Sequence, residues 1–257
     1  MSGGRRQLII TPLLVVVALG LLYVLIGKQT DGIAIASLTA DENATSATAF
    51  GSKVTDALLQ HIQLVGISAA IVLVVGIPLG ILLTRTTSRV VGGVVNGIFN
   101  AGQAAPVIGV LVLLVAIFGL KTWVPYAALV LYAVLPVMRN TVEGIRNVDP
   151  GLLDAARGQG YSRVQVLTRV ELPLAVPVIL AGIRTALVLL VGTATLATFV
   201  NAGGLGDIVN DGIKNQRQAV MITGAVFAAA LAVMIDWLAA IAERYLSPRG
   251  LRREGAA

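Results

Sequence analysis

The chain has 257 residues, 56% of them hydrophobic and only 12% charged, with a mean hydropathy of +0.88. A soluble domain of this length carries about twice that charge, so the composition excludes an ordinary water-soluble fold and indicates an all-α polytopic membrane protein. With no cysteine and a single histidine, His61, the chain has no basis for a disulfide framework, a thiolate or zinc site, or a histidine-based triad.

The first apolar run, Leu8 to Gly27, follows Arg5 and Arg6 and is long enough to cross a bilayer. Ala34-Ile35-Ala36 resembles a signal-peptide cleavage site, but the run is longer than a usual signal core, which favours a retained first span. Lys28 to about Asp56 is rich in Thr, Ala and Ser and reads as a loop. Spans are then expected at about Leu58–Thr84, Val94–Leu120, Trp123–Val142, Pro177–Val200 and Ala219–Ala242, six in all. The third contains Gly102 and Pro106 and is expected to be kinked or broken in two. The expected organisation is an N-terminal span and outer loop over 1–57, a core over 58–243, and a tail over 244–257.

The net charge of +6 and the pI near 10.1 could indicate a nucleic-acid partner, but the arginines lie in ones and twos at segment ends. Membrane topology explains them better, with no nucleic acid involved. With the N-terminus inside, Arg5, Arg6, Arg85, Arg89, Arg139, Arg146, Arg157, Arg163, Arg169, Arg244, Arg249, Arg252 and Arg253 fall on one side. Lys28, Lys53, Lys121, Lys214 and Arg217 fall on the other, and Arg184 lies within a span. This bias puts both termini in the cytoplasm.

Between the fourth and fifth spans lies a polar insert, DPGLLDAARGQGYSRVQVLTRVELP, from Asp149 to Pro173. Asp149 can cap a helix that begins at Pro150, Leu152, Leu153 and Ala156 give it a short apolar stripe, and Gly160 is a suitable stop. Ala155, Ala156 and Gly158 keep part of its surface thin, so a partner's groove could approach the backbone closely. An amphipathic loop resting on lipid headgroups would read similarly.

Spacing separates these readings. Asp154-Ala155-Ala156, three residues, Gly160, nine residues, then Val170-Glu171-Leu172-Pro173 resembles the E-A-A, G, I-x-L-P motif of ABC-importer permeases, with Asp for Glu and Val for Ile. The resemblance covers about Leu58 to Ala242 and implies a type I permease with a cytoplasmic coupling helix at about 149–163. It further implies that Asp154, Ala155, Ala156, Gly160, Leu172 and Pro173 couple the chain to a separate ABC ATPase subunit. The sequence contains no G-x-x-x-x-G-K-[ST] phosphate loop, so ATP is expected on that other subunit and no cofactor on this one. One coupling helix per chain implies a permease homodimer or heterodimer.

Asn100 to Pro106, Tyr132 to Thr141, Val176 to Arg184 and Asn201 to Asp207 resemble the osmoprotectant branch, which imports glycine betaine, choline and carnitine. Methionine and phosphonate permeases share the pattern more loosely. Quaternary amines are usually held in aromatic cages, and this chain shows no such cluster, so an extracytoplasmic binding protein is expected to carry recognition.

The candidate pathway or gate residues are Pro106, Pro136, Arg184, Gly203, Gly204 and Asp236. Arg184 and Asp236 lie well inside their spans, where ionisable groups are costly; they either pair or snorkel separately to the interface. Gly203 and Gly204 form either a simple turn or part of an outer gate, and Pro106 and Pro136 are either pathway elements or packing kinks. Glu143, Arg146 and Arg139 are expected to form a charge cluster, and His61 to be an incidental polar residue near the outer interface. A secondary transporter would need inverted repeats and midplane carboxylates, and a membrane enzyme a cluster of catalytic groups; neither is evident in the sequence. A purely structural membrane subunit is the remaining rival.

Overall fold

The structure, a computed structural model, describes Val15, residues 46–86 and residues 89–246. The expected first span, Leu8 to Gly27, lies outside the described residues apart from Val15. The described residues are helical with no strands: α1 (Ser46–Thr84), α2 (Arg89–Ala104), α3 (Val107–Phe118), α4 (Val124–Arg146), α5 (Pro150–Gly158) and α6 (Arg163–Val166). A π-helical turn (Leu167–Glu171) leads into α7 (Leu172–Ala194), a 3-10 turn (Thr195–Val200), α8 (Leu205–Lys214) and α9 (Gln218–Leu246). Among the described residues, four stretches are long and apolar enough to cross a membrane: Lys53–Thr84, Val124–Arg146, Arg163–Val200 and Val220–Leu246.

Two expectations are corrected. Residues 46–56, expected as loop, form the start of α1, because Val54 and Ala57 bury against Leu205, Ile208, Val220 and Ala228 of α8 and α9. At 39 residues α1 is about 58 Å long, so its N-terminal part runs beyond a hydrocarbon core of about 30 Å. The expected fifth span begins earlier than Pro177, since α6, the π turn and α7 form one continuous helical path from Arg163. The wide turn sits where Pro173 lacks an N–H: the Leu172 N–H reaches back five residues to the Leu167 carbonyl. The third expected span is broken, with α2 and α3 separated at Ala105-Pro106, so neither half reaches spanning length alone.

Glycines set how closely the spans pack. Gly76 and Gly80 bring α1 onto α4, where an added Cβ at Gly76 would stand 3.2 Å from the Val134 and Val137 side chains and one at Gly80 2.6 Å from Thr141 Cβ. Gly144 and Gly182 bring α7 onto the opposite side of α4, against Ala175, Asn140 and the Pro136 carbonyl. Small residues matter here because helices in lipid gain little from hydrophobic exclusion and must gain from close van der Waals contact. The core cluster around Leu64, Val72, Leu111, Leu129, Val137, Leu190 and Val191 joins α1, α3, α4 and α7. α4 is therefore the central helix, parallel to α1 and antiparallel to α7.

Candidate coupling surface and pathway residues

At the arginine-rich end of the bundle, α5 forms as its residues dictate. The Asp149 carboxylate accepts from the Gly151 N–H at 2.8 Å, and Pro150 takes the first helical position, where an N–H would have no partner. The helix stops in a Schellman arrangement: Gly160 takes φ +85, its N–H bonds the Arg157 carbonyl at 2.9 Å, and the Tyr161 N–H bonds the Ala156 carbonyl at 3.1 Å. A capping box between Ser162 and Gln165 then restarts the chain as α6.

Of the motif residues, Ala156 is buried beneath α5, while Asp154, Ala155 and Gly160 are exposed. Asp154 bonds Arg157 at 3.0 Å on the outer face. Leu172 and Pro173 lie half-buried at the start of α7, joined to α5 through α6 and the π turn. The stripe of Leu152, Leu153 and Ala156 is divided: Leu152 is 49% exposed, a lone apolar knob beside Ala155, while Leu153 and Ala156 face inward. Arg139 and Glu143 pair at 2.9 Å near the same end. What α5 offers is therefore a thin, convex ridge with one leucine knob and a neutralised charge pair.

The structure brings Arg184 and Asp236 together. Arg184 Nε donates to one Asp236 carboxylate oxygen at 2.5 Å and Nη2 to the other at 2.6 Å, a bidentate fork between α7 and α9. Glu243, two turns further along α9, stands 3.9 Å from Arg184 Nη1. Pro136 is buried inside α4; its carbonyl accepts from the Asn140 amide at 2.9 Å and faces Gly182. Pro106, exposed and extended, begins α3 at the break in the third span.

At the opposite end, Gly203 and Gly204 form a tight turn with φ +77 and +98 before α8. The Gly204 N–H bonds Gln60 Oε1 at 3.2 Å, and a Cβ at Gly204 would stand 3.0 Å from His61 Nδ1. His61, expected as an incidental polar residue, is fully buried among protein atoms: its Nε2 lies 3.1 Å from the Val191 carbonyl and therefore carries the proton. Thr198 donates to the Asp207 carboxylate, fastening α8 to the 3-10 turn. Beside this turn a cavity of about 240 Å³ is lined by Lys121, Thr122, Tyr126 and Asn201 among apolar residues. The roles of Gln60 and His61 depend on contacts between distant segments, and only the glycines of the turn hinted at them in the sequence.

Residues 76–249 match the family model described as binding-protein-dependent transport system inner membrane component. The chain belongs to that family. Among its relatives, the choline transport system permease protein OpuBB of Bacillus subtilis (strain 168) is 40% identical over 76% of this chain and 88% of its own length. The carnitine transport permease protein OpuCD of Listeria monocytogenes serotype 1/2a (strain 10403S) is 39% identical over 77% and 88%. The osmoprotectant import permease protein OsmW of Salmonella typhimurium is 34% identical over 75% and 91%. In fold, this permease resembles the inward-facing MetNI methionine ABC transporter, with a TM-score of 0.67 at 23% identity, covering 77% of this chain and 98% of that one. An amino acid ABC transporter solved with histidines gives a TM-score of 0.65 at 19% identity, over 80% and 99%. The chain is thus an inner-membrane transport component with the fold of type I ABC importer permeases.

Proposed function

We propose that this permease is the translocating subunit of an ATP-driven importer for quaternary-amine osmoprotectants of the choline, carnitine and glycine betaine type. The observation that carries the reading is the exposed Asp154-Ala155 ridge of α5, with Leu152 beside it, in a chain about two-fifths identical to choline and carnitine permeases. On this reading α5 docks in a cleft of a separate ABC ATPase subunit, which binds the ATP, while this chain carries no cofactor. The thin surface admits the partner close to the backbone, and Leu152 fills an apolar pocket. Leu172 and Pro173 form the hinge at which the docked segment joins α7. The arginine-rich end then faces the cytoplasm, as the basic-residue bias favours, and both termini lie there.

The organisation follows as an N-terminal segment over 1–57, whose residues 46–57 already belong to α1, a permease core over 58–243 and a cytoplasmic tail over 244–257. Two copies, or this chain and a sister permease, enclose the pathway, and lipid covers the remaining apolar faces. Pro106, Pro136, Arg184, Gly203, Gly204 and Asp236 belong to its moving parts. An extracytoplasmic binding protein supplies recognition. The cavity near the glycine turn supports this division of labour, because its cationic Lys121 and single Tyr126 ring make no aromatic cage for a quaternary ammonium.

The test is reconstitution in proteoliposomes with the ATPase and binding protein produced from the same source. Uptake of labelled choline, carnitine and glycine betaine is expected only with internal ATP, and Ala155→Trp is expected to abolish ATPase co-purification without loss of folded permease. Uptake driven by a proton or sodium gradient without the ATPase would refute the mechanism, and preference for methionine would refute the substrate class.

A further inference from the structure

The polar insert carries an ion pair that the coupling motif does not account for. Glu171 closes the π turn between α6 and α7 and is 3% exposed, although a carboxylate is seldom buried without a partner. Its partner comes from 86 residues away: Arg85, the residue immediately after α1, donates from Nη1 to one carboxylate oxygen at 3.2 Å and from Nη2 to the other. Both acceptors are thus engaged by one planar fork, which fixes orientation as well as distance. Beneath the pair, Ile77 and Ile81 of α1 pack with Leu167 of the π turn, Leu172 and the buried Ile145, Ala175 and Ile179.

This arrangement decides which helices a displaced α5 can carry with it. α5 joins α7 through α6 and the π turn, a wider and softer helix. Along that route alone, a push on α5 reaches α7 and, through the Gly144 and Gly182 contacts, α4. With the Arg85–Glu171 fork in place, the same push also reaches the end of α1, which is packed on α4 through Gly76 and Gly80. We infer that Arg85 and Glu171 are positioning residues for energy coupling: they tie the end of α1 directly to the coupling segment, so that α1 moves with it together with α7 and the α4 packed on α7. The inference rests on the docking role proposed for α5.

The experiment measures ATP hydrolysis and solute uptake in the same proteoliposomes, for wild type, Arg85→Glu, Glu171→Arg and the double swap. Each single reversal is expected to keep ATPase co-purification and hydrolysis while uptake per ATP falls about tenfold, within the range for loss of one coupling contact. The double swap is expected to restore most of that ratio, which a residue needed only for folding would not do. Unchanged uptake per ATP in the single variants overturns the inference, as does loss of ATPase binding, which would make the pair a docking element. A stable double variant that fails to recover also overturns it. Should the reversals not fold, Glu171→Gln, of equal volume, carries the test: a fall of severalfold in uptake per ATP supports the tie, and an unchanged ratio overturns it. Failure of the docking reading is distinguishable, because wild type itself would then neither hold the ATPase nor import with ATP, and the tie would lose its role with it.

Discussion

Adding one methyl group at two positions of α7 should have opposite effects. At Gly182 a Cβ would stand 2.5 Å from Asn140 Cβ and 2.9 Å from the Pro136 carbonyl oxygen. Neither neighbour can swing aside, since one is fixed to the backbone and the other belongs to it. Restoring ordinary contact requires α4 and α7 to part by roughly 0.5–1 Å, enough to forfeit a quarter to a half of the attraction along the seam. Overpacking of this kind costs about 1–3 kcal/mol, against which alanine recovers about 0.5–1 kcal/mol of helix propensity relative to glycine. At Gly192, ten residues along the same helix, a Cβ meets nothing within 4 Å, so only the propensity gain remains. Thermal unfolding of the purified permease in detergent should therefore show Gly182→Ala lowered by several degrees and Gly192→Ala unchanged or raised by about 1–4 °C, at roughly 2–4 °C per kcal/mol for a chain of this size. A Gly182→Ala variant as stable as Gly192→Ala would refute the view that glycine-mediated contact holds α7 on α4.

Three further outcomes follow from local geometry. Asp236→Ala removes the partner of an arginine inside a span, and because both side chains are about a third exposed the expected loss is moderate, about 1–3 kcal/mol; folded yield should drop, and exchanging the two charges should recover it. Gly204→Ala combines a backbone at φ +98 with a Cβ 3.0 Å from His61, so a fall in melting temperature equivalent to about 1–3 kcal/mol is expected, where Gly66→Ala, with open space around it, should show none. Asp149→Ala deletes the cap of α5 at a cost of about 0.5–2 kcal/mol, and hydrogen exchange over residues 150–158 should quicken while the spans stay protected.

Several features were legible without coordinates because their causes are local or periodic. Hydropathy located the long spans, since a helix in lipid must be apolar along its whole length, and Pro106 marked the break in the third because proline cannot continue the hydrogen-bond ladder. Asp149, Pro150 and Gly160 announced the start and stop of α5 through backbone rules that act over a few residues. Burial depth alone made Arg184 and Asp236 plausible partners, and the fold joins them. Tertiary structure decided what depends on meetings between remote segments. The helical state of residues 46–56 comes from Val54 and Ala57 packing on α8 and α9, the burial of His61 from the returning glycine turn, and the partner of Glu171 from the end of a helix 86 residues away. The physical reason is that hydropathy and capping act along the chain, whereas a close approach or an ion pair acts across it and leaves no period in the sequence.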